Sequence, residues 1–229
     1  MALYAIGDLH LCLGAPKPMD VFGGAWNGYM DKLEKGFSVI GPDDTTVLLG
    51  DLSWALDLEQ AKDDFAWIDR IPGKKIILKG NHDYWWTTAT KFYNFCKNND
   101  FSNQFILNNN CYEYNEWAIC GTRGWFYEES RSGSHDEKVF KRELLRLEAS
   151  LQAAGDRPIA VFLHYPPRYK GYECPEILEL FRKYPVRKCF YGHLHGASHA
   201  LAIEGLYDSV EYKLVSADRL QFQPYLIKL

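Results

Sequence analysis

Short apolar runs alternate with longer stretches of mixed polarity along most of this chain. Runs at residues 3–6, 46–49, 75–78, 105–107, 117–120, 159–163 and 188–191 have the length and composition of strands. Several are apolar at every position, the pattern of a strand covered on both faces. Between them, apolar spacings of three and four predict helices near residues 26–39, 58–68 and 88–96. A longer helix opens at Ser134, where the hydroxyl can cap free N–H groups while Glu137 reaches back, and it closes before Gly155. Its apolar stripe is Phe140, Leu144, Leu147 and Leu151. Strand and helix in alternation predict an α/β fold. After His195 the rhythm changes to strands near 201–204, 210–215 and 224–227 with no helix between, which predicts a second, partly antiparallel sheet there.

At 229 residues the chain is long for one average domain but within reach of a single sheet-based core. No repeat or Gly/Ser linker divides it, so one domain over residues 1–229 is expected. A formal charge of -4 supplies no global field to hold a polyanion, and stable nucleic-acid binding is not expected. Six cysteines without a Cys-x-x-Cys pair read as reduced packing residues of a cytoplasmic protein. No apolar run approaches the roughly eighteen residues of a membrane span, so no membrane association is expected.

Polar blocks close the apolar runs. Asp8 and His10, Gly50-Asp51, Gly80-Asn81-His82-Asp83, His164, and Gly192-His193-Leu194-His195 would collect at strand ends, where open α/β sheets build their sites. Asp8 and His10 are two apart, so in an extended chain both side chains point the same way and can share a cation; His193 and His195 repeat that spacing. Asp51 can bridge two cations with its carboxylate, and Asn81 can ligate through a neutral carbonyl. Each block alone has a structural reading as a loop cap, turn or packed histidine. Five histidines all at strand ends favour ligation instead.

In this order, Asp-x-His, Gly-Asp, Gly-Asn-His-Asp, a lone His and Gly-His-x-His resemble the calcineurin-like metallophosphoesterase superfamily over residues 8–195. The resemblance implies a four-layer αββα sandwich of two mixed sheets flanked by helices. It also implies two divalent or trivalent metal ions, for which Mn, Fe or Zn suit mixed imidazole, carboxylate and amide ligands. By position the first metal takes Asp8, His10, Asp51 and His195, and the second Asp51, Asn81, His164 and His193. In the family a hydroxide between the metals attacks phosphorus, while the histidine after the Asn, here His82, protonates or electrostatically stabilises the departing oxygen. Two divalent ions against two carboxylates and a hydroxide leave a charge of about +1, so an acidic protein can carry an anion-seeking pocket. The implied reaction is hydrolysis of a phosphomonoester or phosphodiester of a small phosphorylated or nucleotide-like substrate. A superfamily nuclease would call for a basic groove or added domain, and a non-catalytic protein-binding scaffold for lost histidines; the sequence offers neither.

The chain also departs from the family pattern. Trp54 stands where an Asp usually orients the catalytic histidine, which leaves Asp83 or Asp57 to substitute and places Asp83 beside His82 and Asp51 in the expected catalytic set. Lys79 before Gly80, and Asp83 in place of Glu, separate it from protein Ser/Thr phosphatases. Arg123 can clamp a phosphate bidentately or lie solvated on its loop. Trp54, Trp85, Trp86 and Trp125 either stack on a flat substrate group or pack beneath the loops. His135 and His199 read as non-ligands, and Arg168 and Lys170 as solvent-exposed. Loops at residues 14–24 and 121–133 are where substrate selection is expected.

Overall fold

The computed structural model describes residues 1–125 and 134–229, with side chains described outside residues 126–135. In the first sheet β1 (Leu3–Ile6), β2 (Thr45–Leu48), β3 (Lys74–Ile77) and β4 (Gln104–Ile106) run parallel in that order. Their connections contain α1 (Tyr29–Phe37), α2 (Lys62–Arg70) and α3 (Ala89–Asn98). Leu33, Phe37, Phe65, Ile68 and Phe92 of these helices pack with Ile6, Leu48 and Ile77 of the sheet.

The second sheet holds β5 (Cys111–Tyr114), β6 (Trp117–Thr122) and β7 (Ile159–Leu163). Between β6 and β7 lies α4 (Ser134–Gln152), and after β7 come a small hairpin, β8 (Arg168–Tyr169) with β9 (Tyr172–Glu173), and α5 (Pro175–Lys183). Then follow β10 (Val186–Tyr191), β11 (Gly205–Tyr207), β12 (Val210–Leu214) and β13 (Tyr225–Ile227). The sheet order is β11-β12-β10-β7-β6-β5, with α4 and α5 packed on its outer face through Phe140, Leu147, Leu151, Ile177 and Phe181.

Val47, Leu49, Ile76, Ile119, Phe162 and Phe190 form the core between the sheets. Alternate residues of a strand face opposite layers, so strands with helices on one side and a second sheet on the other must be apolar at every position. That accounts for the unbroken runs in β1 and β7 and for the burial of all four β2 residues, Thr45 and Thr46 included. The expected αββα sandwich is what the chain forms.

The C-terminal third differs from expectation. Residues 196–201 form a 3₁₀ turn, the strand placed at 201–204 is absent, and β11 begins at Gly205. No separate sheet forms: β12 joins β10 in parallel with β11 antiparallel at its edge, while β13 crosses to pair antiparallel with β1. Each segment covers an edge that would otherwise leave main-chain groups unpaired. Helix α5 and strand β5 are additions to the sequence reading. Ser134, the cap expected to open α4, has its side chain outside the described residues. Among the described residues no helix is long and apolar enough to cross a membrane.

Candidate metal centre

β1, β2, β3, β7 and β10 all end at one edge of the sandwich, and the five polar blocks leave from these ends. The main chain beyond β1 runs alongside that beyond β2: Asp8 N–H donates to the Gly50 carbonyl at 2.8 Å, His10 N–H to the Asp51 carbonyl at 2.9 Å and Leu11 N–H to the Leu52 carbonyl at 2.8 Å. The two loops are therefore positioned by register rather than by side-chain packing. Gly50 and Gly80 mark where the loops after β2 and β3 cross; a Cβ on Gly50 would sit 2.3 Å from Gly80 N, and one on Gly80 2.1 Å from Asp51 Oδ1. Only glycine permits that approach.

Asp8, His10, Asp51 and His193 occupy left-handed backbone, with φ of 60°, 47°, 49° and 71°. This corrects the expectation that Asp8 and His10 converge because their chain is extended. Convergence instead comes from two left-handed residues flanking Leu9 just past β1. Such conformations cost energy in non-glycine residues and persist where the surroundings over-determine them.

Two groups of ligand-bearing side chains result: Asp8, His10 and His195 form one, and Asp8, Asp51 and His164 the other, each with ligand atoms within 4.8 Å of one another. Among the described residues Asp8 belongs to both groups, and Asp51 of the second also faces His10 of the first. Asp51 Oδ1 accepts the His82 backbone N–H at 2.7 Å, while Oδ2 faces His10 Nε2 at 3.9 Å and His164 Nε2 at 3.7 Å. Asn81 Oδ1 stands 2.6 Å from His164 Nε2, and the His193 ring lies 5.2 Å from that of His164. Asp8 also accepts the His193 backbone N–H and faces His195 Nε2 at 3.4 Å. All seven predicted ligands thus share one edge, with His193 beside His164 and His195 beside Asp8 and His10.

The donor set fits cations. His164 Nδ1 meets the Leu49 carbonyl at 2.9 Å, which keeps the proton on that nitrogen and leaves the Nε2 lone pair facing the Asn81 amide oxygen. Two acceptors turned to one point are satisfied by a cation or a proton. His10 Nδ1 is buried without a hydrogen-bond partner. Charges crowd as well. Burial pushes Asp51 up to about 7, with Asp83 and Asp8 adding to the rise against His164. Burial likewise opposes ionisation of Asp8, yet His195, His164 and His10 hold it well below the usual carboxylate range. Burial works against a charge on His195, but Asp8 and Asp218 outweigh it and raise the ring to about 10; burial and His164 bring His193 down to about 3. Bound cations would relieve this competition among carboxylates.

Asp218 is the site residue that the sequence reading missed. It follows β12, and its Oδ1 meets His195 Nδ1 at 3.0 Å and His199 Nε2 at 3.2 Å, while Oδ2 accepts the Gly196 N–H at 3.0 Å. A carboxylate on the far nitrogen of a ligating histidine fixes its tautomer and orientation. No motif announces it in sequence.

Asp83 does not orient His82. Its carboxylate is consumed by the backbone N–H groups of Asp51 at 2.8 Å, Leu52 at 2.9 Å and Gly80 at 2.7 Å, and by Trp85 Nε1 at 2.9 Å. It clamps the loop that presents Asp51. Asp57 accepts the Gln60 N–H and serves its own turn. His82 has Nδ1 3.3 Å from the Tyr84 hydroxyl and packs 4.7 Å from the Trp54 ring, which in turn stacks on His10 at 4.8 Å. Burial, then His164 and Lys17, push His82 down to about 4.

Arg123 turns toward α4, 3.8 Å from the buried Glu143, while its carbonyl accepts the N–H groups of His164 and Tyr165. Trp85 is buried in the helix layer against Phe65, and Trp125 packs near Phe140; Trp54 alone of the four lines the cavity over the metal ligands. Arg168 is buried between Glu173 and Asp208, both at 2.9 Å, which corrects the expectation of exposure. The cavity holds about 500 Å³.

The family described as calcineurin-like phosphoesterase matches residues 1–197. No curated protein matches the chain. Among solved structures, a protein of unknown function from Aquifex aeolicus, AQ665, is similar with 15% identity and a TM-score of 0.53 over 98% of this chain and 95% of that one. The protein TT1561 of Thermus thermophilus is similar with 14% identity and a TM-score of 0.50 over 86% and 85%. At these identities the likeness is one of fold.

Proposed function

Because the chain belongs to the calcineurin-like phosphoesterase family, a family of metal-dependent phosphoester hydrolases, we propose that it hydrolyses a phosphomonoester or phosphodiester of a small or nucleotide-like substrate at a two-cation site. Asp8, His10, Asp51 and His195 would hold one ion, and Asp51, Asn81, His164 and His193 the other. The observation that carries this reading is Asp51 Oδ2, set between the Nε2 atoms of His10 and His164 at 3.9 and 3.7 Å. Ions of the Mn, Fe or Zn type, when bound, supply Lewis-acid activation of water and neutralise phosphate charge.

The chain's own groups do the rest. Asp83 holds the Asp51 loop, and Asp218 and the Leu49 carbonyl aim His195 and His164. His82 stands at the cavity wall. With the Tyr84 hydroxyl donating to Nδ1, the neutral ring keeps its proton on Nε2 and would stabilise the departing oxygen by a hydrogen bond without giving that proton up.

Turnover of paired chromogenic monoester and diester substrates, after chelation and re-addition of single metals, tests the reading. Activity lost on chelation and restored by one of these ions is the expected result; metal-independent turnover, or none with any ion, contradicts it. His82→Ala is expected to slow esters with poor leaving groups far more than those with good ones, and equal losses would deny it the donor role.

A further inference from the structure

The cavity over the metal ligands has two unlike walls. One carries the histidines and Asp51; the other is built by the segment between β1 and α1, with Met19, Phe22 and Trp26 facing in. Trp26 is buried, edge-on to His10 at 5.7 Å and 5.8 Å from His195, so it forms a floor continuous with the ligands. Phe22 is different: it lines the cavity yet is 66% exposed, and its neighbour Val21 is 75% exposed. Single exposed apolar residues are ordinary, but Val21 and Phe22 together leave an adjacent apolar pair at the mouth of a polar cavity, where a bound group can cover it. The main chain reverses beside it at Gly23 and Gly24, with φ of 61° and 57° and open space where a Cβ would lie, so bare backbone continues the same wall.

We propose that Phe22, on the same cavity wall as Trp26, is a binding subsite for a planar aromatic group of the substrate, carried on the ester whose phosphate meets the metal ligands. The inference rests on the phosphoesterase reading and adds to it the chemistry of the rest of the substrate. Trp26 supplies a second ring on this wall, and a flat ring gains most from flat partners; Trp54, which also lines the cavity, already stacks on His10 and carries Lys17 Nζ 3.3 Å from its ring centre. A cavity of about 500 Å³ accommodates a ring with its phosphate.

The experiment compares 1-naphthylmethyl phosphate with ethyl phosphate, both esters of primary alcohols that differ in the ring, on the metal-loaded full chain. KM and kcat are measured for the wild type, Phe22→Ala and Phe22→Tyr. Binding of the non-hydrolysable naphthylmethyl phosphonate is followed in parallel by tryptophan fluorescence. Stacking by one aromatic side chain corresponds to roughly a 5- to 100-fold effect on affinity. The wild type should favour the naphthylmethyl ester in KM by that order, Phe22→Ala should bring the ratio of the two KM values toward one, and Phe22→Tyr should keep it. Equal KM values in the wild type, or a Phe22→Ala loss equal for both esters, would overturn the subsite. So would loss of binding to phosphatidylglycerol vesicles in Phe22→Ala without any ring preference, which would assign the exposed ring to a lipid surface. Phosphonate binding that depends on Phe22 in a protein turning over neither ester would sink the hydrolase reading and leave the subsite standing; turnover of both without preference would do the reverse.

Discussion

Around His164 orientation comes from the main chain: the Leu49 carbonyl takes Nδ1, and both the ring and Asp51 are sealed from solvent. Around His195 it comes from a side chain, Asp218, and the imidazole keeps 30% of its surface exposed. The two halves of the centre therefore answer to different parts of the chain. A carbonyl in the β2 extension moves only if the sheet moves, so His164 is held as firmly as the inter-sheet core. The other half depends on one carboxylate after β12, which a substitution can remove without disturbing the fold.

The largest expected effect comes from removing what the halves share. Asp51→Asn keeps the size of the side chain but cannot bring a negative oxygen to both imidazoles, so turnover and occupancy of both ions should fall together, beyond the roughly 100-fold that outer-shell changes cost. Loss of one ion alone would show that the halves are independent. Asp218→Asn is the narrower cut: affinity at one of the two ion sites should drop about 10- to 100-fold in chelator competition while the other keeps its ion. Equal weakening of both would erase the distinction drawn above.

A smaller effect separates the halves by pH in chelated protein. Asp51, raised from 3.8 to about 7, holds a proton in the folded state that the unfolded chain releases, so its contribution to stability is lost as pH rises from about 4 to 7. His195, raised from 6.5 to about 10, contributes stability that is complete below 6.5 and is lost as pH rises to about 10. His82 and His193, held down to about 4 and 3, act in the opposite sense below pH 6.5, so the Asp51 contribution shows as the difference between wild type and Asp51→Asn, while His195 should lower the melting temperature of metal-free protein as pH rises past 6.5. Asp51→Asn should make the melting temperature rise more steeply with pH between about 4 and 7, and Asp218→Asn should weaken the fall above 6.5; thermal scans in which neither variant changes the profile would contradict this assignment.

Much of this was legible in the chain because the same physics writes both pattern and fold. Strands β1 and β7 are covered on both faces, so their runs are apolar, and Asp8 and His164 stand out as polar residues that break the pattern while burial continues. Helix α5 was not legible: Pro175 reads as a turn, and Ile177, Leu178 and Phe181 are spread among charged residues over nine positions. Strand β11 is exposed along its length, so burial left no periodicity to read. Asp218 lies 23 residues beyond His195 in no motif, and Trp26 reaches the site only through the turns at Gly23 and Gly28. Left-handed backbone at Asp8 and His10 was hidden for a related reason, since residue spacing alone cannot distinguish a continued strand from a turn.

One carboxylate oxygen placed between two metal sites underlies the whole reading, and electron paramagnetic resonance of the chain loaded with Mn(II) tests that placement most directly. Two ions per chain with exchange-coupled spins are predicted, as expected for ions about 3.5–4 Å apart. Two uncoupled mononuclear signals, or a single ion per chain at saturation, would contradict it.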